Sequence, residues 1–259
     1  MPEDLYAPIA DIYDFSYDDF TEDIVFYENL ACAVDGPLLE LGVGSGRVAL
    51  PLARAGFEVV GIDTSASMLA RARVKLAKAK PRMGSLELVE ADMRDFDLGR
   101  RFGLVFVAAN TFQHLLTTAD EQACLGSVAK HLAPGGLFAL GVRSPTSFAW
   151  EDAGMPAPLL LDWTRTDPAT GDLIMKFVAT QTDPARLIRH MTYVYDRVHE
   201  GAVQRSVFVT DLRCPTLDEL RLLLQQAGLR VTHVYGDYDL SPVGLGDNLV
   251  IVARAEAPE

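Results

Sequence analysis

Leu38-Leu39-Glu40-Leu41-Gly42-Val43-Gly44-Ser45-Gly46-Arg47 carries the strongest local pattern in the chain. A short apolar strand, broken only by Glu40, runs directly into three alternating glycines. Residues 46–55 then read as a helix closed by Gly56. Glycine reaches positive φ at no steric cost and lets the backbone approach a ligand closely. A strand, a glycine-rich turn and a helix in that order form a nucleotide site at the carboxyl end of a first strand. The dinucleotide fingerprint G-x-G-x-x-G would need glycine at 47, where Arg47 stands. The spacing is G-x-G-x-G, preceded by the acid Glu40, which weakens the reading as a nicotinamide-dependent oxidoreductase. A tight connection without any ligand is the alternative for the turn taken alone.

Working outward, short apolar runs alternate with helical stretches. Strands are predicted at 57–62, 86–90, 104–109 and 137–142, with helices at 65–80, stopped by Pro81, and at 120–132, ended by Pro134-Gly135-Gly136. This rhythm predicts a parallel sheet covered by helices on both faces. Upstream, residues 1–33 read as helical, with Phe20, Ile24, Phe26, Tyr27 and Leu30 at mixed three- and four-residue spacing over 18–33. From about residue 150 the pattern changes. Residues 153–158 read as a loop, and 173–182, 187–199 and 203–212 as three alternating β-runs, with a hairpin turn at Glu200-Gly201. Thr216-Leu217-Asp218-Glu219 fits a capping box opening a helix to Ala227. Strands at 230–235 and 248–255 follow. The expected division is an N-terminal helical lid (1–35), an α/β core (36–149), an antiparallel β insert (150–213) and a C-terminal completion of the core sheet (214–259).

The chain has 259 residues, a length for one or two domains. Its formal charge is −13, and residues 1–46 hold 11 acids with no Lys or Arg. A nucleic-acid acceptor is therefore disfavoured, since such interfaces are strongly positive. The only dense basic run, Arg71, Arg73, Lys75, Lys78 and Lys80, reads as a solvated helix face. Cys32, Cys124 and Cys214 are odd in number and far apart, so neither a disulfide framework nor a thiolate metal site is indicated. No metal-ligand spacing appears. The acidic start MPEDLYAP lacks an apolar core, and no apolar run is long enough to span a bilayer. A cytoplasmic protein without a membrane partner is expected.

Two more acids extend the site. Asp63 ends the second strand, where a carboxylate accepts from both ribose hydroxyls; the alternative is a helix N-cap, a task open to Thr64 or Ser65. Asp92-Met93 follows the third strand, placed for an adenine amino group and ring; the alternative for Asp92 taken alone is a solvated loop carboxylate. Together, Glu40 to Gly46, Asp63 and Asp92-Met93 resemble the class I S-adenosylmethionine-dependent methyltransferases. The turn 132–136 and the strand ending at Asn110 fit the same pattern. The resemblance implies a Rossmann-like seven-stranded sheet with its last strand antiparallel. It implies S-adenosylmethionine as cofactor and S-adenosylhomocysteine as product. Carried over by position, the cofactor site comprises Tyr13, Glu40, Gly42, Gly44, Gly46, Arg47, Asp63, Met68, Asp92, Met93 and Asn110. Asn110-Thr111-Phe112-Gln113 departs from the Asn/Asp-Pro-Pro-Tyr motif of nucleic-acid amino-methyltransferases. Residues 6–14, the insert and the turn at 235–238 are similar to small-molecule members that methylate amines and amino sugars.

The implied reaction is in-line methyl transfer to a nitrogen or oxygen of a small molecule, by a monomer or homodimer. A non-catalytic cofactor-binding protein is the other alternative. His114, four residues past Asn110, is the candidate catalytic base, needed only if the nucleophile arrives protonated; the alternative is a satisfied structural histidine. His190 and His199 fall on insert strands, where an inward-facing ring reaches substrate; His131 and His233 read as structural. Phe148, Trp150, Met175, Phe177, Met191, Tyr193 and Tyr195 are candidate pocket-lining residues, some of them forming the insert's own small core. The 11 clustered acids predict a self-repelling N-terminal segment, ordered mainly by ligand.

Overall fold

The computed structural model describes residues 4–17, 19–79, 84–147 and 157–255. Strands β1 (Leu38–Leu41), β2 (Glu58–Asp63), β3 (Ser85–Glu90), β4 (Phe102–Val107), β5 (Leu132–Arg143), β10 (Leu229–Tyr235) and β11 (Asn248–Ala255) form one sheet in the order β10-β11-β5-β4-β1-β2-β3. All run parallel except β11, which is antiparallel to both neighbours. Helices α1 (Glu22–Cys32), α2 (Ala49–Ala55) and α3 (Ala66–Lys78) meet one face, and α4 (Thr118–His131) and α5 (Leu217–Gln226) the other.

Two cores follow from strand alternation. Leu38, Leu104 and Phe106 point to the first helix group, packing with Tyr27, Leu52 and Leu69. Leu39, Leu41, Val105 and Val107 point to the second, packing with Leu125, Val128, Leu220 and Leu224. With both faces covered, β4 is buried along its whole length, which is why it reads as an unbroken apolar run. Burying one such large side chain contributes about 1.5–3 kcal/mol.

Helix ends follow side-chain chemistry. Ser65 caps α3 by accepting from Met68 N at 3.2 Å, leaving Asp63 free of that task. The capping box at Thr216 and Glu219 is complete. Gly56 closes α2 at φ +111°.

The second sheet, β6 (Leu160–Thr166), β7 (Leu173–Asp183), β8 (Ile188–His199) and β9 (Ala202–Arg213), is antiparallel in chain order. It has four strands where the sequence predicts three. β6 escapes the period-2 pattern because a register shift between Leu161 and Trp163 breaks its alternation, and Leu160 and Leu161 are exposed. The Glu200-Gly201 turn forms as expected, both residues at positive φ.

The N-terminal segment is also less helical than predicted. It makes two 3-10 turns, Ala7–Ile9 and Tyr13–Ser16, and becomes α-helical only at Glu22. Its acids do not simply repel one another. Asp4 accepts from Ser65 Oγ at 2.7 Å and Ser67 N at 2.9 Å. Asp14 meets Lys75 at 2.6 Å and Arg71 at 2.5 Å. Asp11 pairs with Arg197, Asp19 with Arg165 and Asp23 with Arg47. The predicted solvated basic face is thus corrected: Arg71 and Lys75 turn inward to a buried carboxylate, whereas Arg73 and Lys78 are exposed. Lys80 and Pro81 lie outside the described residues.

Candidate active site

The site grows from the carboxyl ends of β1, β2, β3 and β4, brought side by side by parallel register. Leu41 pairs with Ile62 and Val107, and Asp63 with Glu90. Gly42, Gly44 and Gly46 all have positive φ. Gly42 is the most constrained: at φ +69°, a Cβ there would lie 2.1 Å from Thr111 Cγ2. Only glycine lets the turn after β1 touch the turn after β4.

Asp63 ties the first two turns together. Its Oδ2 accepts from Gly44 N at 2.7 Å and its Oδ1 from Ser65 N at 2.8 Å. Burial pushes its carboxyl up, opposed by those two amides. Met68 is buried, its Cε beneath Gly44. Ala91 N donates to Asp63 O at 3.0 Å, which sets Asp92 and Met93 beside the same strand end. The Asp92 carboxylate already receives Arg94, which also reaches Asp120 at 2.9 Å. Hydrogen bonds from Arg94 hold Asp92 below its ordinary value. Asn110 sits at φ +63°, directly after Ala109 at φ +51°. Two consecutive non-glycine residues in the left-handed region mark a strained turn of the kind that clusters at functional sites.

Glu40 is buried, and its Oε2 has no hydrogen-bond partner among the described residues. Burial drives its carboxyl well above the usual range, against the pull of the Arg47 charge. Arg47 itself is committed elsewhere. Its guanidinium grips fully buried Asp23 with both Nη atoms, donates to Phe20 O at 2.9 Å and lies over the Phe20 ring. The arginine that breaks the dinucleotide fingerprint thus fastens α1 to the glycine turn.

Above this floor lie aromatic rings from distant segments. The Tyr6 hydroxyl meets His114 Nε2 at 2.8 Å, and Thr210 Oγ1 meets His114 Nδ1 at 3.3 Å. Tyr6 packs edge-on to Tyr13 and against Phe208; Tyr13 packs against Tyr17. Burial pushes the His114 imidazole down to about 4 and the Tyr6 and Tyr13 phenols up. Tyr6, Thr210 and Phe208 are contributors that sequence reading passed over or left open, because strand register and segment docking bring them to His114.

Other expectations change. Met191, Tyr193 and Tyr195 share the inner face of the insert with Thr210, Phe208 and Ser206, their cross-strand partners. Met175 and Phe177 pair with Asp196 and Val194 on the opposite face, so they do not line this side. His190 is on that outer face too, bonded to Asp211 at 2.7 Å. His199 sits at a strand end, bonded to Asp172 at 2.5 Å. The His190 ring points away from the inner face, and the His199 ring is solvent-exposed beyond it. His131 accepts from Leu98 N at 3.2 Å and stacks on Phe96, and His233 stacks on Tyr235. Phe148 and Trp150 lie outside the described residues. No helix among the described residues is long and apolar enough to cross a membrane.

Comparison with known proteins agrees with this geometry. Residues 38–136 match the family described as a methyltransferase domain. A cypemycin N-terminal methyltransferase of Streptomyces is 31% identical over 79% of this chain and 77% of its own length. A dTDP-3-amino-3,4,6-trideoxy-alpha-D-glucopyranose N,N-dimethyltransferase of Streptomyces venezuelae is 28% identical over 70% and 77%. The solved structure of the CcbJ methyltransferase from Streptomyces caelestis superposes with a TM-score of 0.80, at 28% identity, covering 98% of this chain and 97% of that one. The glycine turn, the acid ending β2, the reversed last strand and these likenesses converge: the chain belongs to the S-adenosylmethionine-dependent methyltransferases.

Proposed function

We propose that this enzyme methylates a neutral amine nitrogen of a small molecule, in a pocket floored by the glycine turn and roofed by residues 4–17 and the insert. One observation carries the choice of nitrogen. Both ring nitrogens of His114 are engaged, by Tyr6 and Thr210. An imidazole lowered to about 4 is a weak proton acceptor at neutral pH. That suits an orienting role better than proton removal. A phenol or alcohol needs a base, whereas an amine entering unprotonated needs only to be held in line. The amine acceptors named for the two Streptomyces relatives agree with this reading.

The residues fit the cofactor. The unpaired Glu40 Oε2 is a buried acceptor that a cationic group satisfies directly or through water. The carboxylate of Asp63 suits the ribose hydroxyls, and Gly42 and Gly44 give the turn after β1 the left-handed main chain that lets it approach a ligand closely. Gly46 and Met68 shape its base, Asp92 and Met93 suit the adenine, and Asn110 and Tyr13 face the transfer side. Arg47 serves through Asp23. When bound, the cofactor supplies an electrophilic methyl on a sulfonium. The chain's part is to orient that group and the amine and to exclude water, worth up to about 7–11 kcal/mol in favourable cases. The five ion-paired or capped acids of the N-terminal segment make it a strap that closes over both.

The test is a labelled-methyl assay with dTDP-3-amino sugars, peptides bearing a free N-terminal amine, phenols, tRNA and DNA. Incorporation into amines supports the reading. Faster incorporation into phenols transfers it to oxygen and makes His114 the base. Salt-sensitive incorporation into tRNA or DNA overturns the small-molecule acceptor. Hydrogen exchange over 4–17 is expected to slow with S-adenosylhomocysteine; equal protection with and without it removes the strap from the site.

A further inference from the structure

The insert joins the core at two crossings, Arg143 at the end of β5 and Arg213-Cys214 after β9. One fully buried side chain touches both. Gln113 Oε1 accepts from Arg143 N at 3.0 Å. Its Nε2 donates to Arg213 O at 2.9 Å and lies 3.1 Å from Cys214 Sγ and 3.4 Å from Arg143 O. A primary amide is the side chain suited to this place, because it offers an acceptor and two donors from one flat group. Glutamate at neutral pH lacks the donors, and an apolar residue leaves a buried main-chain N–H and C=O without their partner.

The next residue extends the junction. His114 touches Tyr6 from the N-terminal segment and Thr210 from β9, three residues before Arg213. Gln113 N also donates to Asn110 O at 2.9 Å, inside the turn that faces the transfer side. The Arg213 guanidinium anchors the same strand end to Glu121 of α4 at 2.7 Å and Glu219 of α5 at 2.8 Å. The main chain at both crossings, the strained turn and the insert's inner face therefore meet at one dipeptide.

We propose that Gln113 is a positioning residue that locks the insert sheet to the turn carrying Asn110 and His114, fixing the shape of the acceptor space before an acceptor binds. It acts through His114 and Thr210 and touches neither reactant. Its relevance to acceptor binding rests on the functional reading above; the mechanical lock does not.

Full-length Gln113→Met and Gln113→Asn proteins test this without any acceptor. In Gln113→Met, amide exchange over residues 202–213 accelerates at least tenfold, while exchange in β1 and β2 is unchanged. The His114 ring, followed by NMR, begins to titrate near the ordinary 6.5 instead of about 4. The dissociation constant for S-adenosylhomocysteine moves less than threefold by calorimetry. Gln113→Asn, whose shorter amide reaches one crossing, falls between the two and keeps the test open if the methionine variant does not fold. Unchanged exchange over 202–213 with an unchanged His114 titration overturns the proposal, as does equal loosening of β1, β2 and the insert. Failure of S-adenosylhomocysteine to bind any of the proteins overturns the functional reading and leaves the exchange contrast to decide the lock.

Discussion

The floor and the roof of this site balance apolar burial and polar contacts in different proportions. The floor is local: each strand delivers its terminal residue to the next turn, and buried Leu, Val and Phe on both faces hold the strands in register. The roof is assembled from segments more than 100 residues apart: a small apolar cluster of Ile9, Ile12, Ile174, Tyr195 and Phe208 is rimmed by polar contacts such as Tyr6 to His114 and Asp11 to Arg197. Apolar burial is nondirectional, does not titrate and is not screened by salt, whereas ion pairs are screened and imidazole contacts titrate. The floor should therefore persist under conditions that loosen the roof.

The largest effect is expected at the seam between them. Arg47→Ala leaves Asp23 charged and fully buried, which costs about 3–5 kcal/mol. Urea unfolding should show the loss. Arg47→Lys should recover only part of it, because an ammonium cannot match two carboxylate oxygens at once. A loss below about 1 kcal/mol in Arg47→Ala would mean that the seam is not structural.

Within the floor, Asp63→Ala should weaken S-adenosylhomocysteine binding by about one to two decades, the worth of a charged hydrogen-bond partner at roughly 1.5–3 kcal/mol. Asp63 also holds the Gly44 and Ser65 amides, so Asp63→Asn should lie between. Unchanged affinity by calorimetry would take Asp63 out of the site.

Acid should separate the regions next. His114 has a folded value of about 4 against an ordinary 6.5, so the folded state binds fewer protons in that interval. Its contribution is present above 6.5 and falls as the pH drops towards 4. Asp14 behaves as a second, lower step. Burial raises its carboxyl, but Lys75, Ser45 and Arg71 outweigh that and hold it below 3.8, so its contribution disappears only as the pH falls through that lower value. Relative to the intrinsic exchange rate, which itself slows in acid, protection over 4–17 and 202–213 should fall from pH 7 to 4.5 while β1 and β4 stay protected. His114→Gln should abolish this first step; a step that persists in that variant assigns it to other groups.

The smallest effect belongs to the exposed pairs. Asp19 with Arg165 is solvent-facing, so Asp19→Asn or added salt should change protection of the N-terminal segment by less than about threefold. A larger response would show that the strap depends on its rim rather than on Asp14 and Asp23.

Much of the floor was legible in the order of residues. Continuous apolar runs marked strands buried on both faces, and glycines with acids at strand ends marked the sheet edge where the cofactor is proposed to lie. Thr216 and Glu219 announced a helix start to the residue. The signal failed where a single feature broke the period, as the β6 register shift did, and where side-chain partners are remote in sequence. Arg71 and Lys75 lie on a helix face that sequence alone assigns to solvent, because nothing local reports Asp14 57 residues upstream of Arg71. Eleven acids in one segment read as repulsion for the same reason.

The reversed last strand followed from the family likeness; the order of residues set the alternating α/β core and the carboxyl-end position of Asp63 and Asp92. These depend on periodicity and turn chemistry, which act over a few residues. Only the tertiary structure decided that Arg47 fastens Asp23, that His114 is held on both nitrogens and that Met175 and Phe177 face outward. It also decided that Gln113 spans both crossings of the insert. Those outcomes depend on strand register and segment docking, where a shift of one residue turns a side chain to the other face.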